Sequence, residues 1–96
     1  PLIVRPAAEA DLAEAYAWYE AQRAGLGREL LEEVEATFAK LAEAPERYPL
    51  VHRVTRRVLT RRFPYAVFYV AEPECVVVLA VFHQARDPKR WQSRGR

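Results

Sequence analysis

Cys75 to Phe82 is an unbroken apolar run in a chain of only 96 residues. Successive side chains of a strand point to opposite faces, so this run offers Val77, Leu79 and Val81 to one face and Val76, Val78, Ala80 and Phe82 to the other. A strand apolar on both sides belongs at the centre of a sheet and demands cover above and below. The run falls well short of the ~20 residues that span a bilayer, and no leader-like segment precedes the first charged stretch, so the reading is a cytoplasmic protein with no membrane partner.

The first half of the chain has a different period. From Ala7 to about Gln22, Leu12, Ala15, Tyr16 and Tyr19 recur at helical spacing, with Glu9, Asp11 and Glu14 in the early turns where carboxylates complement the helix dipole. Gly25 and Gly27 bracket Leu26 and are read as supplying the backbone freedom of a tight reversal. Leu30, Leu31, Val34, Phe38 and Leu41 then line one face of a second helix, which Pro45 ends near Glu43. Two amphipathic helices with so short a link form a hairpin.

Past Pro49 the period becomes two. Arg56 to Phe63 alternates as a strand, Pro64 interrupts it, and Tyr65–Ala71 with Cys75–His83 form a β-hairpin turning at Glu72-Pro73-Glu74. With a brief opening strand at Leu2 to Arg5, the expected order is β-α-α-β-β-β. This is an α+β domain over residues 1–96, with the helical hairpin packed on one face of a mainly antiparallel sheet. Two helices cover one face only. The other is left for the C-terminal tail, a second copy or a partner to close. Residues 87–96 are polar and Arg-rich, expected as a short helix or a mobile tail ordered only in a complex.

Charge is divided along the chain. Residues 1–50 hold five Lys/Arg against ten Asp/Glu, a balance of −5, whereas residues 51–96 hold ten against three, a balance of +7. A module so basic is suited to an anionic partner, either nucleic acid or an acidic peptide, and otherwise is a solvated face. Cys75 is the sole cysteine, which excludes an internal disulfide, and two histidines with one thiol form no zinc pattern, so no metal or other cofactor is expected.

Arg62-Phe63-Pro64-Tyr65-Ala66-Val67-Phe68-Tyr69, followed by Val77-Val78-Leu79-Ala80-Val81-Phe82-His83-Gln84-Ala85-Arg86-Asp87-Pro88 and closed by Trp91, resembles the sheet and terminal signature of the RelE/ParE toxin superfamily. The early strand, acidic first helix, Gly-containing turn and second helix agree with it, so the resemblance covers essentially the whole chain. The Phe-His-x-x-Arg-Asp-Pro ending and the long hairpin are most similar to the ParE branch, often described as plasmid stabilisation toxins of type II toxin–antitoxin systems. That resemblance implies an acidic antitoxin as partner, DNA gyrase as target, inhibition by binding alone, and a homodimer or a heterotetramer with antitoxin as the assembly. Its rival is a RelE-like mRNA endonuclease acting on the ribosome, for which His83 would serve as acid or base with Arg62 and Arg86 clamping phosphate. Against that rival, no tyrosine follows Tyr69. A third reading is a degenerate toxin kept as a binding module.

For antitoxin or target binding the candidates are Arg56, Arg57, Arg61, Arg62, Arg86, Lys89, Arg90 and Trp91. The alternative roles are a strand-end cap for His83, a tail anchor for Trp91 and core packing for Tyr16, Trp18 and Tyr19. The docking reading leans on a cationic sheet face left incomplete until an anionic chain covers it.

Overall fold

The computed structural model describes residues 1–95. Strand β1 (Leu2–Val4) leads through Arg5 into helix α1 (Pro6–Gln22), where proline at the first turn gives up an amide that has no helical partner anyway. Helix α2 (Leu26–Glu43) follows after three residues, and strands β2 (Leu50–His52), β3 (Thr55–Leu59), β4 (Tyr65–Ala71) and β5 (Val76–His83) complete one sheet before a short helix α3 (Pro88–Gln92). The sheet order is β1-β5-β4-β3-β2, antiparallel throughout except for the parallel β1–β5 pair. The long apolar run is therefore central, as its composition requires.

The two glycines of the helical turn do different things. Gly25 has φ of 90°, the left-handed conformation expected of a turn glycine. Gly27 lies inside α2, and its need is space: a Cβ there would sit 2.7 Å from Tyr16 Cδ2. Glu20 on α1 accepts the backbone N–H groups of Gly25 and Gly27, each at 2.9 Å, and so caps the start of α2 from the neighbouring helix.

Three departures from the expected pattern have physical causes. A fourth antiparallel partner, β2, emerges from the Pro-rich segment after α2, and its three residues carry too little periodicity to be read as a strand. The strand expected over Arg56 to Phe63 ends at Leu59. Thr60 closes the next loop by exchanging bonds with Tyr65, and Glu33 of α2 accepts the N–H groups of Arg62 and Phe63 at 2.9–3.0 Å, so these residues belong to a helix-anchored loop. Phe63 consequently enters the helix-side core rather than alternating with Arg62.

The third departure is a bulge in β5. Phe68 pairs with Ala80 but Tyr69 pairs with Val78, leaving Leu79 without an opposite number. The alternation slips there, so Val81 joins Val76 and Val78 on the helix side while Val77, Leu79, Ala80 and Phe82 face the other way. The simple odd–even division of the run is corrected accordingly.

The helix-side core gathers Ala8, Leu30, Val34, Leu41, Val67 and Val78, all fully buried, with Tyr69 also at 0% exposure. Burial pushes the Tyr69 phenol up to about 12, and its hydroxyl donates to Pro45 O at 2.5 Å. On the opposite face the C-terminal segment forms helix α3 against the sheet. Trp91 stacks on Phe68 with ring centroids 4.2 Å apart, over a small cluster with Ala66, Ala80 and Phe82. Of the three covers expected for this face, the tail, a second copy or a partner, the C-terminal segment closes its middle, because one buried indole supplies apolar cover.

Candidate binding surface and cleft

Strand β1 pairs only with Val76 to Val78, so the outer edge of β5 beyond Val78 has no strand beside it. Two side chains take over that edge. Asp11 of α1 accepts the Val81 N–H at 3.1 Å, and Arg94 donates to Leu79 O at 3.2 Å while holding Asp11 in a two-pronged ion pair at 2.6 and 3.2 Å. The Arg94 guanidinium also lies 4.7 Å from the Phe82 ring centroid. Backbone groups that a sixth strand would satisfy are thereby satisfied by a carboxylate and a guanidinium.

Beside this edge α1 and the ends of β4 and β5 enclose a cleft of about 350 Å³, walled by Trp18, Tyr65, His83, Arg86 and Glu14. Tyr65 packs edge-on to His83 at 5.5 Å and to Tyr19 at 6.0 Å. Burial raises the Tyr65 phenol above its ordinary value, with Tyr19 and Glu14 adding to the effect and Arg86 opposing it. His83 Nδ1 accepts the Ala85 N–H at 3.1 Å, so a neutral His83 carries its proton on Nε2 and presents a donor.

The cations singled out from the sequence separate into four groups. Arg56 donates to the carbonyls of Glu46 and Tyr48 and so pins the loop after α2. Arg62 forms a 2.6 Å ion pair with Glu29, which Arg23 joins at 3.2 Å, and the two guanidiniums hold the Glu29 carboxyl below the usual range. Arg86 lies over Phe82 at 4.4 Å and reaches the cleft. Arg57, Arg61, Lys89 and Arg90 have no side-chain partner among the described residues.

Arg57 points to the α3 side of the sheet, since it pairs with Phe68, the residue on which Trp91 stacks. Lys89 and Arg90 flank Trp91 on α3, and Leu59, two residues along from Arg57 on the same face, is half-exposed at 49%. The α3 side of the molecule thus carries cations together with an exposed apolar residue. Trp91 itself is buried and anchors the tail. His83 and Arg86 share a cleft, whereas Arg62 is held at α2 beside Arg61 and Lys40, so the trio named for phosphate chemistry is not assembled. Among the described residues no His, Cys, Asp or Glu cluster forms a metal site, and no helix is long and apolar enough to cross a membrane.

Sequence reasoning missed Asp11, Glu14, Trp18 and Tyr65 as members of one site. Only the four-residue spacing of Glu14 and Trp18 on α1 was visible as a signal.

A helical hairpin over a five-stranded sheet, with a C-terminal helix on the far side, is the α+β arrangement that the resemblance to the RelE/ParE superfamily led one to expect. The family described as ParE toxin of type II toxin-antitoxin system, parDE, matches residues 2–88, and the chain belongs to it. A solved structure titled "Chromosomal ParDE TA system from P. aeruginosa" superposes with a TM-score of 0.77 at 15% identity, covering 85% of this chain and 92% of that one, a likeness of fold. No curated protein matches the sequence.

Proposed function

We propose that this protein is a growth-inhibiting ParE toxin that acts in the cytoplasm by binding DNA gyrase, the target expected of its family, and is silenced by an acidic antitoxin. The observation carrying this reading is that Arg57, on the α3 side of the sheet with half-exposed Leu59, and Lys89 and Arg90 of α3 are cations without internal side-chain partners. Such a surface suits an acidic, partly apolar segment: charge steers the encounter and apolar burial holds it. Binding suffices for this role. The dispersal of Arg62 away from His83 and Arg86 supports binding over ribonuclease chemistry.

Inducible expression should stop growth, and co-expression of the acidic antitoxin should restore it. Purified protein should inhibit gyrase supercoiling and leave mRNA intact in a translating extract. Discrete mRNA cuts with normal supercoiling would overturn the proposal in favour of the endonuclease. Unimpaired growth under confirmed expression would leave only the degenerate binding module.

A further inference from the structure

Among the described residues Trp18 is the one aromatic ring in the set of large apolar side chains left exposed, and at 58% it is the most exposed of them. An indole standing in water forgoes its apolar burial, and tryptophans so placed are the anchors of protein interfaces. Trp18 does not stand alone. It heads a row of rings along the cleft, meeting Tyr19 at 4.9 Å and 84°, while Tyr19 meets Tyr65 at 6.0 Å and 61° and Tyr65 meets His83 at 5.5 Å and 74°. Each ring is turned steeply from the next, so the wall of the cleft presents aromatic surface in more than one direction.

The free charge of this wall is an anion. Asp11 is spent on Arg94 and the Val81 N–H, whereas Glu14 makes no hydrogen bond or ion pair with any described residue. Glu14 stands four residues before Trp18 on α1, the spacing that sets two side chains next to each other, so an unpaired carboxylate adjoins an open indole. The one cation of the cleft is turned away, since the Arg86 guanidinium lies 4.4 Å from the centroid of Phe82, a ring that packs with Trp91 on the α3 side. A flat cation satisfies indole and carboxylate together. Guanidinium stacks on the ring while its forked N–H groups meet the carboxylate, and an ammonium has the charge without the plane.

We propose that the end of the cleft formed by Glu14 and Trp18 receives an arginine side chain of the protein that this toxin inhibits, guanidinium flat on the indole and forked onto the carboxylate. That the arginine belongs to an inhibited protein rests on the function proposed above. Charge separates this partner from the antitoxin: an acidic chain is drawn to Arg57, Lys89 and Arg90 on the α3 side and repelled by Glu9 and Glu14 of α1. The two partners therefore meet opposite faces of the sheet.

The test titrates the full chain with a capped tripeptide carrying arginine between two glycines, and with its lysine and uncharged citrulline counterparts. The chain has two tryptophans, so the indole N–H resonance of Trp18 reports the site and that of Trp91 is an internal control. The arginine peptide should shift Trp18 saturably and leave Trp91 unmoved, with citrulline binding about tenfold more weakly and lysine in between. Glu14→Gln and Trp18→Ala, the latter read on the Tyr65 amide, should each weaken the arginine peptide about fivefold, and Trp18→Phe should recover part of the loss. In cells, Glu14→Gln and Trp18→Ala should relieve growth arrest, while the purified variants keep the parent chain's affinity for the antitoxin. No saturation by about 50 mM, equal response to arginine and citrulline, or variants that lose antitoxin binding and still arrest growth would overturn the proposal. Unimpaired growth with the parent chain would overturn the toxin reading and the assignment to a target, and saturable arginine binding would then support the site alone, so the two failures are told apart.

Discussion

Arg94 Nη1 lies 2.6 Å from Asp11 Oδ2, an ion pair that joins the last turn of the chain to the first helix across 83 residues. Asp11 is nearly buried, with 9% of its side chain accessible, and it serves the Val81 N–H as well. Asp11→Ala should therefore destabilise the protein by about 2–4 kcal/mol, more than Arg94→Ala, because it strands both a guanidinium and a backbone amide. Urea midpoints of the two single variants and the double variant measure this, and the coupling between the sites should be clearly non-zero.

Gly27→Ala runs against helix propensity. Alanine is the better helix former by about 1 kcal/mol, but its Cβ would press into Tyr16 and the Glu20 carboxylate at 2.7–2.9 Å. We expect a net loss of about 1–3 kcal/mol by thermal denaturation, with Tyr16→Leu in the same chain recovering part of it. Gly25→Ala should cost about 1 kcal/mol through its positive φ alone, with no such rescue.

Alkali should unfold the protein by way of Tyr69. Its folded-state pKa of about 12 stands above the unfolded value of 10, so the buried neutral phenol contributes fully below pH 10. That contribution is lost as pH rises toward 12, a fall of about 2–3 kcal/mol. Tyr69→Phe should start about 1 kcal/mol less stable for want of the Pro45 bond and should show a shallower decline across the same interval. Urea midpoints between pH 8 and pH 12 report both.

Trp91 holds the C-terminal helix to the sheet by stacking on Phe68. Trp91→Ala should cost about 3–5 kcal/mol and increase binding of a hydrophobic dye, as Phe68 and Phe82 lose their cover. Trp91→Phe should cost markedly less. Equal effects of the two would show that the stack is not what seats the helix.

Much of this architecture is readable from side-chain period. The switch from helical to alternating spacing near Pro49 separates hairpin from sheet, and the two-sided apolar run places β5 at the centre. The bulge at Leu79 was not readable, since valine, leucine and alanine on either side look the same in either phase. Nor was the division of the arginines. Arg56, Arg57, Arg61 and Arg62 are alike as letters, and only the positions of Glu29 and the Glu46 and Tyr48 carbonyls show which are engaged. The cleft depends on α1 meeting the end of β5, a contact spanning about three-quarters of the chain that no local spacing encodes.

Strand β1 has β5 as its only neighbour, and the strand-free edge of β5 is sealed by Asp11 and Arg94. During synthesis β1 must therefore wait, unpaired, for a partner made more than seventy residues later, and Arg94 arrives later still. Growth of the polypeptide and completion of its sheet are bound together. A chain that stops short of Arg94 carries an unsealed, adhesive edge on β5, open to pairing with another strand.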